Sequence, residues 1–332
     1  MRGERGAELL NALTQNSKPK TQNPKTQNPK PDRRTLLLDS TVIGMEDRLY
    51  LPEVSHLMRT TFATLPRWWT TVAALTVTAV LLSPFYWVLI GSFMTPAELF
   101  GGQMSLWPKH FAVENWSVAF GRLWPHIQNS LFVSAAASIG TLLVTAPAAY
   151  GLVWRKPRGR HTLFAFTLMT QMLPAIVFVI PLFIVFTKID LVNTMYGLIL
   201  ADMTFTIPFA LIMLSAYMKD LPYELVEAAL VDGAGQLRAF LMIVLPITLP
   251  GLITVGVFSF LIPWGDLIFA LSLITDDSLQ PLTLQLYKAF GQYGIDWGFL
   301  LPGSVLTAVP AVIFVIAASR FIVAGVTRGA IK

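Results

Sequence analysis

The chain contains no cysteine, which excludes disulfides, thiolate metal sites and cysteine nucleophiles. Charge is scarce as well. Asp, Glu, Lys and Arg make up 13% of its 332 residues, about half the share usual for soluble domains. Histidine occurs only at His56, His110, His126 and His161, too far apart for ligand spacing, so no metal site is expected. No G-x-x-x-x-G-K-S/T stretch occurs, so the chain has no phosphate loop with which to hydrolyse ATP. The net charge of +5 is scattered over short loops and a tail. No basic helix with interleaved aromatics points to nucleic acid.

What remains is apolar. Hydrophobic types make up 54% of the chain and the mean hydropathy is +0.60, which predicts an all-α integral membrane protein crossing the bilayer several times. Six stretches, 68–93, 127–154, 162–187, 193–218, 239–265 and 298–319, each exceed the roughly 20 residues a spanning helix needs. Asp202 is the one Asp, Glu, Lys or Arg inside any of them. Orientation follows from Lys and Arg in the loops. Arg155, Lys156, Arg158 and Arg160 follow the second span without an acid, and Arg320, Arg328 and Lys332 follow the last. The opposite loops are poorer in cations, so both ends are predicted cytoplasmic, N-in and C-in. Prolines recur inside spans, among them Pro147, Pro174, Pro208 and Pro250. They read either as ordinary membrane-helix irregularity or as bends around a pathway.

Residues 1–57 differ from the rest. Their Pro-rich run "KTQNPKTQNPKPDRR" cannot bury enough apolar surface to order itself, which predicts a disordered cytoplasmic tail. A start at Met45 or Met58 is the alternative reading. Residues 58–332 form the transmembrane domain.

The segment 219–246, after the fourth span, breaks the apolar pattern with Glu224, Glu227, Asp232 and Arg238. Asp220 is expected to cap a helix beginning at Leu221, with Pro222 in its first turn. That helix is expected to stop at Gly233, in the left-handed conformation, and a second to start near Ala234. The result is a cytoplasmic helix-turn-helix between spans four and five. Ala228 and Ala229 allow close approach, and Glu227 offers an ion pair. Acids suit a protein cleft better than an anionic lipid surface.

Glu227-Ala228-Ala229, three residues, Gly233, nine residues, then Ile243-x-Leu245-Pro246 resembles the EAA loop of membrane subunits of binding-protein-dependent ABC importers. The resemblance runs from about residue 66 to the end. "MLPAIVFVIPLFIVF" and the tail "RFIVAGVTRGAIK" resemble the carbohydrate branch, specifically the maltose-type inner permease subunit. It implies a non-catalytic permease in a bacterial inner membrane. ATP and Mg would be held by a partner ATPase dimer, and this chain would bind no cofactor. Glu227, Ala228, Ala229, Asp232 and Gly233 would engage that ATPase, and the tail to Lys332 would reach toward it. A second permease, an extracytoplasmic binding protein and a carbohydrate substrate are implied as well.

Pathway candidates come from polar residues in or beside spans. Asp202 lies about 13 Å into its span, where a charge is costly, and reads either as a substrate contact or as a satisfied helix contact. Trp264 and Asp266 offer an aromatic face beside a carboxylate, suited to a sugar, or an interfacial anchor. The family often has Asn between them; this chain has Gly265. Asn129, Gln171, Asn193 and Thr204 complete the set. No span carries an internal Arg, which favours a neutral disaccharide or glucoside over a phosphorylated one. Another small solute, such as a polyol, compatible solute or amino acid, is the alternative. An intramembrane enzyme would need a Ser-His, paired-acid or H-E-x-x-H constellation, which the spans lack. The outer loop 277–297 is expected to face the binding protein, or simply to connect two spans.

Overall fold

A computed structural model describes residues 67–101, 106–291 and 294–330, and within them the side chains of 68–319. The tail expected over 1–57 and the terminal Lys332 lie outside the described residues. The chain divides into two units at Val77, inside its first helix.

The described part of the first unit is the start of α1 (Arg67–Gly91), where Trp68 stacks on Trp69 at 4.5 Å. In the second unit α1 continues with Val80, Leu81, Leu82 and Phe85 all exposed. Its end is tied to the next long helix, α3 (Val113–Tyr150). Asn115 Nδ2 donates to Met94 O at 3.2 Å, and Trp116 Nε1 donates to Ser92 Oγ at 3.2 Å. The short α2 (Pro96–Phe100) lies between them, capped by Thr95 Oγ1.

α3 is the spine. It packs against α6 (Met195–Lys219), α10 (Leu249–Trp264) and α13 (Trp297–Ala330). Small residues make this possible: Ser130, Ser134, Ala137, Ser138, Thr141, Thr145 and Ala149 are buried at spacings of three and four. The Thr141 and Thr206 hydroxyls bond across α3 and α6 at 2.7 Å, and Ser138 Oγ donates to Gly256 O of α10 at 2.8 Å. Gly251 serves the same closeness, since a Cβ there would sit 2.7 Å from the Tyr217 ring. α3 begins at Val113 rather than at 127 and continues as a wider turn, Gly151–Arg155. Its 38 residues therefore span about 57 Å, well beyond a hydrocarbon core of about 30 Å.

Two of the six expected spans are broken. α4 (Arg160–Met172) and α5 (Ile176–Lys188) meet at 105°, and the segment Gln236–Ile247 meets α10 at 77°. At the first break Leu173 is extended, as a residue before proline prefers, and Pro174 offers no N–H to continue the ladder. At the second, Pro246 of the short α9 (Leu245–Ile247) and Pro250 flank Thr248, whose hydroxyl bonds back to Val244 O at 2.8 Å. Four described helices are long and apolar enough to cross a membrane, or six if each bent pair is one span.

The connection from α10 to α13 is built rather than loose. It holds α11 (Ile268–Leu273), a tight turn Asp277–Leu279, α12 (Leu282–Tyr287), and an antiparallel pair, β1 (Phe290–Gly291) with β2 (Gly294–Ile295). α3 holds it down: Asn129 Nδ2 donates to Ser278 O at 2.7 Å, and Leu282 N donates to Ser130 Oγ at 2.8 Å.

Candidate functional site

The broken-up segment after α6 forms α7 (Glu224–Val231), a turn, and α8 (Gln236–Ala239). The expected start is corrected. The helix begins at Glu224, after Pro222, and Asp220 instead ends α6, its N–H donating to Tyr217 O at 3.3 Å. Glu224 and Glu227 occupy the first turn, where the helix dipole favours acids. The stop is as expected. Gly233 has φ +83, and Ala234 N donates to Ala229 O at 2.9 Å, closing the last turn around a left-handed residue. A Cβ at Gly233 would meet nothing within 4 Å, so glycine is required for its backbone conformation alone.

α7 is bolted to the bundle by one face. Val226 and Ala229 are buried among Tyr150, Leu214, Met218, Phe240 and Val244. Tyr150 OH donates to Gln236 Oε1 at 2.7 Å, and the Trp154 and Tyr223 rings lie 6.1 Å apart. The opposite face presents Glu224, Glu227, Ala228 and Val231 outward, at i, i+3, i+4 and i+7. The expectation that both alanines face a partner is corrected here: Ala229 is 7% exposed and serves the inner face. The Glu227 side chain makes no hydrogen bond or ion pair among the described residues. Asp232 is exposed beside the turn. Tyr150 and Gln236, which fix the segment, escape a sequence reading because 86 positions separate them; the one local sign is Gln236 following Gly235 at the helix start.

The fold brings Asp202 and Asp266 within electrostatic reach of each other, but the pathway candidates as a set do not converge on one site. Asp202 is 2% exposed, and its Oδ2 has no hydrogen-bond partner among the described residues. Trp264 is 3% exposed, stacks on Phe260 at 5.8 Å and donates Nε1–H to Thr307 O at 3.0 Å, so its ring is no open sugar platform. Asp266 accepts from the N–H groups of Ile268, Phe269 and Ala270 at 3.1, 3.3 and 3.0 Å, which makes it the cap of α11. Asn129 clamps the connection described above. Asn193, at φ +58, accepts from Thr275 N and Asp276 N. Gln171 Nε2 donates to Phe205 O at 3.1 Å, tying α4 to α6. Thr204 lies on an exposed strip of α6 with Tyr196 and Leu200, its hydroxyl bonded to Leu200 O. Sequence flagged these side chains as polar in an apolar setting; the fold uses most of them to hold elements together.

Residues 142–331 match the sequence profile of a family described as the binding-protein-dependent transport system inner membrane component. The chain belongs to this family. The diacetylchitobiose uptake system permease protein NgcG of Streptomyces coelicolor is 32% identical over 257 residues, covering 76% of this chain and 85% of that protein. The trehalose transport system permease protein SugB of Mycobacterium tuberculosis is 33% identical over 206 residues, covering 61% and 75%. In fold, the chain resembles a bacterial ABC transporter involved in import of the acidic polysaccharide alginate, with a TM-score of 0.63, 17% identity, and coverage of 89% of this chain and 99% of that one. This inner membrane component is thus a non-catalytic permease subunit of an ABC transporter, a membrane protein working with an ATPase and a substrate-binding protein.

Proposed function

We propose that this permease subunit moves a neutral carbohydrate, a disaccharide or glucoside, inward by alternating access. The observation that carries the coupling is the two-faced α7. Val226 and Ala229 lock it to the ends of α3 and α6, while Glu224, Glu227, Ala228 and Val231 stand free. A helix fixed on one side and open on the other can pass a push from a partner into the bundle as a rigid body. In this reading α7 is the coupling helix, seated in a cytoplasmic ATPase dimer that holds ATP and Mg. Glu227 pairs with a cation there, Ala228 allows the close approach, and Asp232 and Gly233 shape the turn. Both ends are cytoplasmic, and each bent pair is one span, giving six. A second, homologous permease completes the pathway, against the α6 strip that carries Thr204. The absence of charge from the spans other than Asp202, together with the relatives named for diacetylchitobiose and trehalose, supports a neutral sugar.

The test uses the full complex in nanodiscs with its binding protein. Trehalose or diacetylchitobiose should stimulate ATP hydrolysis several-fold in the parent complex. Glu227→Lys should abolish that stimulation and leave the complex assembled in detergent-free gel filtration. Stimulation by amino acids and by no sugar would overturn the carbohydrate reading; full stimulation in Glu227→Lys would overturn the coupling reading.

A further inference from the structure

At the end of the bundle opposite α7, a cavity of about 440 Å³ lies between the start of α3 and the α10–α13 connection. Arg122, His126, Asp277, Gln285, Lys288 and Asp296 line it, with Phe299 as an apolar wall. None belongs to the coupling segment or to the pathway candidates above.

The protein leaves much of this polar lining unused. The Arg122 guanidinium makes no hydrogen bond or ion pair among the described residues and lies over the Phe299 ring, 5.9 Å from its centre. His126 Nδ1 is 2.9 Å from Gln280 O, which can only accept, so Nδ1 carries a proton and Nε2 is left to face the cavity's other groups. Gln285 spends its amide N–H groups on Asp277 and Gln280, leaving its own carbonyl oxygen without a protein donor among the described residues. Lys288 donates to Asp277 at 2.6 Å and holds that carboxyl below the usual carboxylate range.

Charge selects the ligand class. Arg122 and Lys288 are balanced by Asp277 and Asp296, so the lining carries no net charge to attract an anion. It offers donors and acceptors side by side next to an aromatic face. A sugar ring fits this lining, since it donates and accepts at adjacent hydroxyls and presents an apolar C–H face. We propose that this cavity holds one sugar ring at the mouth of the pathway before it enters the membrane, on contacts from this chain alone. The proposal rests on the carbohydrate and orientation readings above.

The experiment is saturation-transfer NMR on the full complex in nanodiscs, without ATP and without binding protein. The probes are trehalose, maltose and diacetylchitobiose. Saturation transfer to at least one sugar is expected. Arg122→Leu and Gln285→Leu should each weaken its apparent affinity by about tenfold, the scale of one lost hydrogen bond to a charged or buried group, while His161→Gln at the far end leaves it unchanged. Should Arg122→Leu fail to assemble, Gln285→Leu carries the test. Transfer to none of the three sugars, or transfer untouched by both variants, overturns the site. So does loss of binding-protein docking in Arg122→Leu with saturation transfer retained, which would make the cavity a protein contact. The carbohydrate reading is judged separately by stimulated ATPase activity, which a missing mouth site leaves intact.

Discussion

Single residues here are governed by backbone conformation and by the cost of stranded polar groups. Gly233 occupies the left-handed region with open space around it. Any L-residue there should cost about 1–2 kcal/mol from the backbone alone. Gly233→Ala is therefore expected to loosen the turn and cut stimulated ATPase activity, with the melting temperature of the bundle little changed; equal losses of both would refute the separation. Asp266 accepts three backbone N–H bonds at the start of α11. Asp266→Ala should destabilise by about 0.5–2 kcal/mol, read by thermal unfolding, and Asp266→Asn by less. Asp202 is enclosed, with an oxygen lacking a partner. Asp202→Asn replaces a buried carboxyl that ionises only at high cost with a neutral amide of the same shape, so it should raise the melting temperature and leave sugar affinity within twofold. A tenfold loss of affinity would return Asp202 to the pathway.

At the scale of elements, the question is what fixes α7, an eight-residue helix too short to be stable alone. Its hold comes from the packing of Val226 and Ala229 and from the Tyr150–Gln236 bond. Tyr150→Phe keeps the ring contacts and removes only that bond. It should cost about 1 kcal/mol, felt in hydrogen exchange of α7 amides before it is felt in global unfolding. Unchanged exchange in α7 would show that packing alone holds it. The bends between α4 and α5 and before α10 follow from local rules, since proline stands at both. Their angles do not, because a missing N–H permits a bend without setting its size.

For the whole molecule, the long spine α3 organises everything else. Its small buried residues set the distance to α6 and α10, and its two ends serve different work: Tyr150 and Trp154 at the α7 end, Arg122, His126 and Asn129 at the other. Widening that spine should separate neither end but loosen both. Ala137→Leu, at a fully buried position, is expected to cost about 1–3 kcal/mol by overpacking and to lower ATPase stimulation together with melting temperature, in contrast to the turn variants.

The sequence by itself determined the membrane class, the apolar stretches and the left-handed stop at Gly233. Hydropathy, charge poverty and the demand for φ > 0 are properties of short windows of chain. It also exposed the EAA spacing, because that pattern is local. Only the tertiary structure decided which way side chains point. Ala229 turned inward while Ala228 stayed out, Asp266 became a cap, and Trp264 found Thr307 as a partner. The cap depends on where α11 starts, two residues after Asp266; the other outcomes depend on what another element, more than forty positions away, brings into contact. The mouth cavity is the furthest case: Arg122 and Lys288 meet only because α3 and the α10–α13 connection are folded against each other.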